Sequence, residues 1–183
     1  MQLAHSPYEK NVELTRIAVE LGRKNNVSVK GEIGKVGGLE SNRDIPQTEA
    51  WLTTPEEAED FLKKTDVDAL AISIGTVHGL YKVTPKINIE RLKKIRKVVN
   101  VPLVLHGGSD TPQDIIRQTI VYGISKINIC TDLKLAYAQA QRSVFKKDKE
   151  LFDPAVFLSA GREAVKETVK KKIMLFSDER RLS

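Results

Sequence analysis

Asp68-Ala-Leu-Ala-Ile-Ser-Ile-Gly-Thr-Val-His78-Gly-Leu-Tyr81-Lys82 is answered further along the chain by Val101-Pro-Leu-Val-Leu-His106-Gly-Gly-Ser109. Each is a short apolar run, rich in β-branched and aliphatic residues, that ends in a histidine followed at once by glycine. The pattern predicts two buried strands that each present a His at the C-terminal end. In parallel α/β sheets that edge is where ligands and catalytic groups collect, because the loops after the strands converge there.

Outward from these strands the chain reads as a βα repeat. Pro7 to about Lys24 carries a helical apolar stripe of Val12, Ile17, Ala18 and Leu21, and Asn25-Asn26 stops it. Val27 to Ile33 alternates, with Val27, Val29 and Ile33 expected on the helix-covered face and Ser28, Lys30 and Glu32 on the other. Thr54-Pro55-Glu56-Glu57 is a helix start, with Thr54 as N-cap and Glu57 placed for a capping box, and that helix ends near Lys64. Asn88 opens a helix over Ile89 to Val98, and Thr111-Pro112 repeats the cap-then-proline start, with Gly123 closing that helix. Lys126 to Asp132 is a fourth short strand leading into a helix to about Lys146, and Asp153-Pro154 starts a last helix to about Phe176. Residues 177–183 are expected to fray.

Strand ends near Ile33, Ile74, Leu105 and Cys130, with helices between them, predict an α/β fold of four βα units. Right-handed crossovers make its sheet parallel. A closed (β/α)8 barrel of the TIM type needs eight strands and usually about 250 residues. The 183-residue chain is therefore expected to be a single domain over 1–183 with the architecture of half a barrel.

Composition narrows the class. With 40% hydrophobic and 30% charged residues the chain is expected to be soluble and globular, its apolar runs are strand-sized, and its N-terminus lacks the features of a signal peptide. A lone cysteine, Cys130, excludes an internal disulfide and fits a reducing cytoplasm. The formal charge of +6 is concentrated in lysines and arginines near the C-terminus without aromatic interleaving or a nucleic-acid motif, which predicts a solvated helical face and neither nucleic-acid nor membrane binding.

The chemistry sits at the strand ends. His78 and His106 end consecutive predicted strands, so their imidazoles either share a divalent ion or line a polar rim; neutral imidazole suits zinc. Lys30 and Glu32 would face the barrel interior, which is costly unless they pair or serve a site. The loop Gly34 to Asp44 is either a mobile flap or an ordinary βα turn. Gly107-Gly108-Ser109 and Asn128 to Thr131 place small residues and a helix start where a phosphate can be cradled. Lys82 is either a further phosphate contact or a solvated lysine. Cys130 would need an activating base to act as a nucleophile, and a buried or lumen-lining thiol is the simpler expectation. His5, with no strand behind it, is expected to be structural or exposed.

Four segments taken together resemble the class II, zinc-dependent ketose-bisphosphate aldolases, the fructose- and tagatose-1,6-bisphosphate enzymes. They are Gly31-Glu32-Ile33-Gly34-x-x-Gly37-Gly38-x-Glu40, Ile74-Gly75-Thr76-Val77-His78-Gly79-x-Tyr81-Lys82, Leu103 to Ser109, and Lys126-Ile127-Asn128-Ile129-Cys130-Thr131-Asp132. The resemblance implies the C-terminal half of a (β/α)8 barrel, with His78 and His106 as two zinc ligands and Glu32 as a further residue of the metal site. Glu40 matches the catalytic acid/base. Gly79, Lys82, Gly107, Gly108, Ser109, Asn128 and Thr131 match substrate- and phosphate-binding positions, and a monovalent cation, Na+ or K+, is implied near Gly79 and Gly107.

The implied activity is aldol cleavage or condensation of a ketose 1,6-bisphosphate to dihydroxyacetone phosphate and glyceraldehyde 3-phosphate, a step of cytoplasmic carbohydrate metabolism and glycolysis. The family's His-Leu-Asp-His segment, which supplies the remaining zinc ligand and the general acid, is absent from this sequence, and Lys30 stands where a glutamate is common. The activity is thus expected to be incomplete in this chain alone, with a homo-oligomer or a complementing N-terminal half as its partner. The alternative is a non-catalytic half-barrel that binds a sugar phosphate or a partner chain.

Overall fold

Ala69–Ile72 and Leu103–Leu105 are apolar throughout, and in the computed structural model they form the central strands of a parallel sheet. The structure describes residues 6–40, 43–45, 51–79 and 86–177; for 38–40, 43–45 and 78 the description is of the backbone. The chain divides into two compact units, Met1–Asn128 and Ile129–Ser183.

In the first unit, helix α1 (Tyr8–Lys24) precedes strand β1 (Lys30–Glu32), and a pair of short strands, β2 (Gly37–Glu40) and β3 (Arg43–Ile45), follows. Helix α2 (Pro55–Thr65) leads to β4 (Ala69–Ile72) and β5 (Val77–His78), and α3 (Ile89–Val98) to β6 (Leu103–Leu105). Helix α4 (Gln113–Val121) and β7 (Ile124–Ile127) complete the unit. The main sheet runs β1-β4-β6-β7, every pair parallel, so sheet order follows chain order across the βα units. Strands buried on both faces need apolar residues at successive positions, and Leu103, Val104 and Leu105 are all at most 1% exposed. Helices pack in turn, α1 on α2, α2 on α3 and α3 on α4. Phe61, Leu92, Ile95 and Ile116 fill the helix–sheet layer.

Several local expectations hold for the reasons given by the residues. Thr54 Oγ1 accepts from the Glu57 amide at 3.1 Å with Pro55 in the first helical position. Asn88 Oδ1 accepts from the Arg91 amide at 2.9 Å and caps α3.

Others are corrected. The first strand covers only Lys30–Glu32, because the Val27 amide closes α1 by bonding Gly22 O, with Asn26 left-handed at φ 56°. Val27, expected in the core, is 60% exposed. The stretch 68–78 is not one strand. It stops at Ile72, and Gly75 turns the chain at φ 111°. Val77–His78 then joins a separate sheet of order β3-β2-β5, in which Gly38 pairs with His78. The glycine-rich segment after β1 is not a plain βα turn, since β2 and β3 pair antiparallel within it. Pro112 rather than Thr111 stands at the start of α4, and the Thr111 hydroxyl is spent on Gly107 O at 3.2 Å. The fourth strand sits earlier than expected, at Ile124–Ile127.

The second unit is a helical pair, α5 (Thr131–Lys147) and α6 (Pro154–Ser177). Lys172 bonds Asp132 at 2.6 Å, Gly161 lies against the Tyr137 ring, and Phe145 stacks on Phe157 at 5.0 Å between centroids. As one helix ascends the other descends, so the two are antiparallel. Residues 178–183 lie outside the described residues, and no described helix is long and apolar enough to cross a membrane.

Candidate functional site

Residues two apart on a strand share a face. Gly31 points to the helix layer, where a Cβ would meet Phe61 Cε1 at 2.7 Å, so Lys30 and Glu32 point the other way. Their register partners on β4 are Ala69 and Ala71, whose short side chains leave room above the strand. Lys30 and Glu32 reach across it to His106, which follows β6 directly.

Lys30 Nζ lies 2.9 Å from His106 Nε2, Glu32 Oε1 lies 3.6 Å from His106 Nδ1, and Lys30 and Glu32 are 3.7 Å apart. The His106 side chain is 11% exposed and that of Glu32 21%. The two interior charges thus pair with each other and with the histidine. Because a lysine ammonium can only donate, Nε2 is the acceptor and the ring proton resides on Nδ1, toward the carboxylate. Asn11 anchors this end of the strand by donating to Glu32 O at 2.9 Å.

Beyond His106 the chain turns at Gly107, φ 66°, where a Cβ would meet Val77 O at 2.5 Å. That close approach is where the His106 and His78 segments touch. The Gly108 amide donates to Asn128 O at 3.2 Å and the Asn128 amide to Leu105 O at 2.9 Å. The Gly108 N–H is therefore engaged within the fold. Ser109 is buried, and the fully buried Thr76 Oγ1 has no hydrogen-bond partner among the described residues.

The structure brings Glu32, His106, Gly107, Gly108, Ser109 and Asn128 together at the C-terminal end of the parallel sheet. His78 and Glu40 are placed by backbone alone, in β5 and β2 of the small sheet, and Gly79 follows with φ 93°. Lys82 and His5 lie outside the described residues. Thr131 opens α5 in the second unit, and Cys130 before it is exposed, so of the expected buried or lumen-lining thiol the buried form is excluded. The contact that sequence reasoning missed is Lys30 on His106. The alternation that put Lys30 inward was its only signal.

A separate cavity of about 250 Å³ opens at the end of β1, lined by Tyr8, Asn11, Ile33, Lys35, Trp51 and Glu57 among others. Burial pushes the Glu57 carboxyl above its ordinary value, partly offset by the bond to Thr54. Lys30, Glu32 and His106 do not line this cavity. Among the described residues no three His, Cys, Asp or Glu side chains are grouped to hold a metal ion.

Comparison with known proteins gives these features a context. The family model described as fructose-bisphosphate aldolase class-II matches residues 1–181. The fold is similar to the YdjI aldolase from Escherichia coli K12, with TM-score 0.78 and 32% identity over 98% of this chain and 61% of that one. It is also similar to the fructose-bisphosphate aldolase Fba from Campylobacter jejuni, with TM-score 0.75 over 94% of this chain and 57% of that one. At 21% identity this second likeness shows the fold alone. The chain spans about three-fifths of the length of each structure.

Proposed function

The chain belongs to the class-II fructose-bisphosphate aldolase family, and on that premise we propose that it contributes the metal and phosphate sites for zinc-dependent aldol cleavage and condensation of a ketose 1,6-bisphosphate, fructose or tagatose in type. Four neighbouring βα units of a (β/α)8 barrel would present these sites, a reading supported by a sheet order that follows chain order. The observation that carries the proposal is the Glu32–His106–Lys30 cluster at the C-terminal end of the sheet.

The donor chemistry fits a divalent ion. His106 presents an unprotonated Nε2 and turns Nδ1 toward a carboxylate, the state in which an imidazole ligates. His106 and His78 would hold the ion, and Glu32, acting from the Nδ1 side, would fix the ring. When bound, zinc supplies Lewis acidity to the substrate carbonyl. Glu40 takes a proton from the hydroxymethyl carbon beside that carbonyl in condensation and returns it in cleavage. Gly79, Lys82, Gly107, Ser109 and Asn128 hold the dihydroxyacetone phosphate end, and anchoring it there positions the reacting carbons for the base. Gly108 would help through backbone shape, its amide being engaged. A monovalent cation near the Gly79 and Gly107 carbonyls would balance the phosphate. A second copy of the chain, or a chain carrying the complementary barrel units, is the partner proposed.

Glu32→Gln keeps the shape and removes the charge that orients His106. Zinc affinity is expected to fall about 10–100-fold, the usual effect of losing an outer-shell carboxylate, as read by competition with a chromophoric chelator. The function itself is tested by following dihydroxyacetone phosphate release from fructose and tagatose 1,6-bisphosphates, with zinc supplied and then chelated. Zinc-dependent release supports the proposal. Binding of dihydroxyacetone phosphate with neither zinc binding nor turnover would support the second reading, a non-catalytic half-barrel that has lost the metal, which the ammonium standing on His106 Nε2 favours.

A further inference from the structure

Lys30 is the one member of the cluster with no part in that chemistry, yet it lies nearer to His106, at 2.9 Å, than Glu32 does at 3.6 Å. Its position is dictated by the strand: Gly31 faces Phe61 and Val67, so the residues on either side of it must face the site. The alanines opposite leave its aliphatic stem a path over β4. At the end of that path its ammonium has two partners, His106 Nε2 at 2.9 Å and Glu32 at 3.7 Å. The arrangement holds one positive and one negative charge about a neutral ring, and it keeps the ring in a single tautomer.

We propose that Lys30 is a built-in competitor of the metal: its ammonium occupies the His106 nitrogen that a divalent cation needs and is displaced when that cation binds. This rests on the reading of His106 as a metal ligand. Two cations cannot share one imidazole lone pair, and an ammonium within 2.9 Å of Nε2 stands inside the space that the ion would take. Metal binding therefore includes breaking the Lys30–His106 bond and moving a positive charge aside. The chain should bind zinc more weakly than its donors alone would. A lysine that merely supported the strand would have the opposite effect, since removing it would loosen the ligand and weaken zinc binding.

The test is the zinc dissociation constant of the full chain, by chelator competition, for the unaltered protein, Lys30→Met, Lys30→Arg and His106→Ala. Lys30→Met, which keeps the stem and removes the charge, is expected to bind zinc about tenfold more tightly, while Lys30→Arg, which keeps a cationic donor, stays within about threefold of the unaltered protein. Unchanged or weaker binding in Lys30→Met overturns the proposal, as does equal tightening in Lys30→Arg. The underlying metal reading fails separately: if His106→Ala leaves zinc binding untouched, the ion sits elsewhere and the competition has no site.

Discussion

Replacing His106 by alanine is expected to weaken zinc binding by more than about 100-fold, beyond the range of about 10–100-fold seen when only an outer-shell partner is lost. Aldol cleavage, where the chain supports it, should fall with the metal. His106 is buried at the end of a fully apolar strand, where Leu105 is 0% exposed, and it is bracketed by Glu32 and Lys30. Removing the imidazole takes away the ligand nitrogen and also leaves the carboxylate and the ammonium with only each other. The loss would be read in the same chelator competition, with circular dichroism showing that the fold survives. Retention of stoichiometric zinc in His106→Ala would contradict the assignment.

Phe61→Ala is expected to cost about 3–5 kcal/mol of stability, the usual range for emptying a buried aromatic site. That is a large part of the about 5–15 kcal/mol that holds a typical domain. Phe61 is 0% exposed, meets Tyr8 edge-on at 6.1 Å between centroids, and fills the space that Gly31 leaves by having no side chain. The strand that carries Lys30 and Glu32 rests on this ring, so the substitution should loosen the site as well as the core. Urea unfolding measures the effect as a lower midpoint at unchanged slope. A loss under about 1 kcal/mol would mean that the neighbours collapse into the space.

The elements legible in the sequence are those decided by local chemistry. Thr54 and Asn88 announce helix starts because a side-chain oxygen there satisfies an amide that the helix cannot. The central parallel strands, β4 and β6, announce themselves by unbroken apolar runs. What stayed hidden depended on pairing at a distance. Nothing in Ile74-Gly75-Thr76-Val77-His78 says that the chain leaves one sheet at Gly75 and enters another at Val77, since the partner, Gly37–Gly38, lies forty residues away. The same holds for Thr111, which resembles a cap by its neighbour Pro112 but is drawn off by Gly107 O. In the site, the inward direction of Lys30 and Glu32 followed from strand alternation. Their convergence on His106 required the two alanines of β4 to stand between them.

The proposed sharing of one divalent ion by His106 and His78 is tested most directly by zinc-edge X-ray absorption on the zinc-loaded protein, repeated on His106→Ala and His78→Ala. Two imidazole nitrogens at about 2.0–2.1 Å, with one lost in each variant, is the predicted result. A shell without imidazole nitrogen, or one that neither substitution changes, would contradict it.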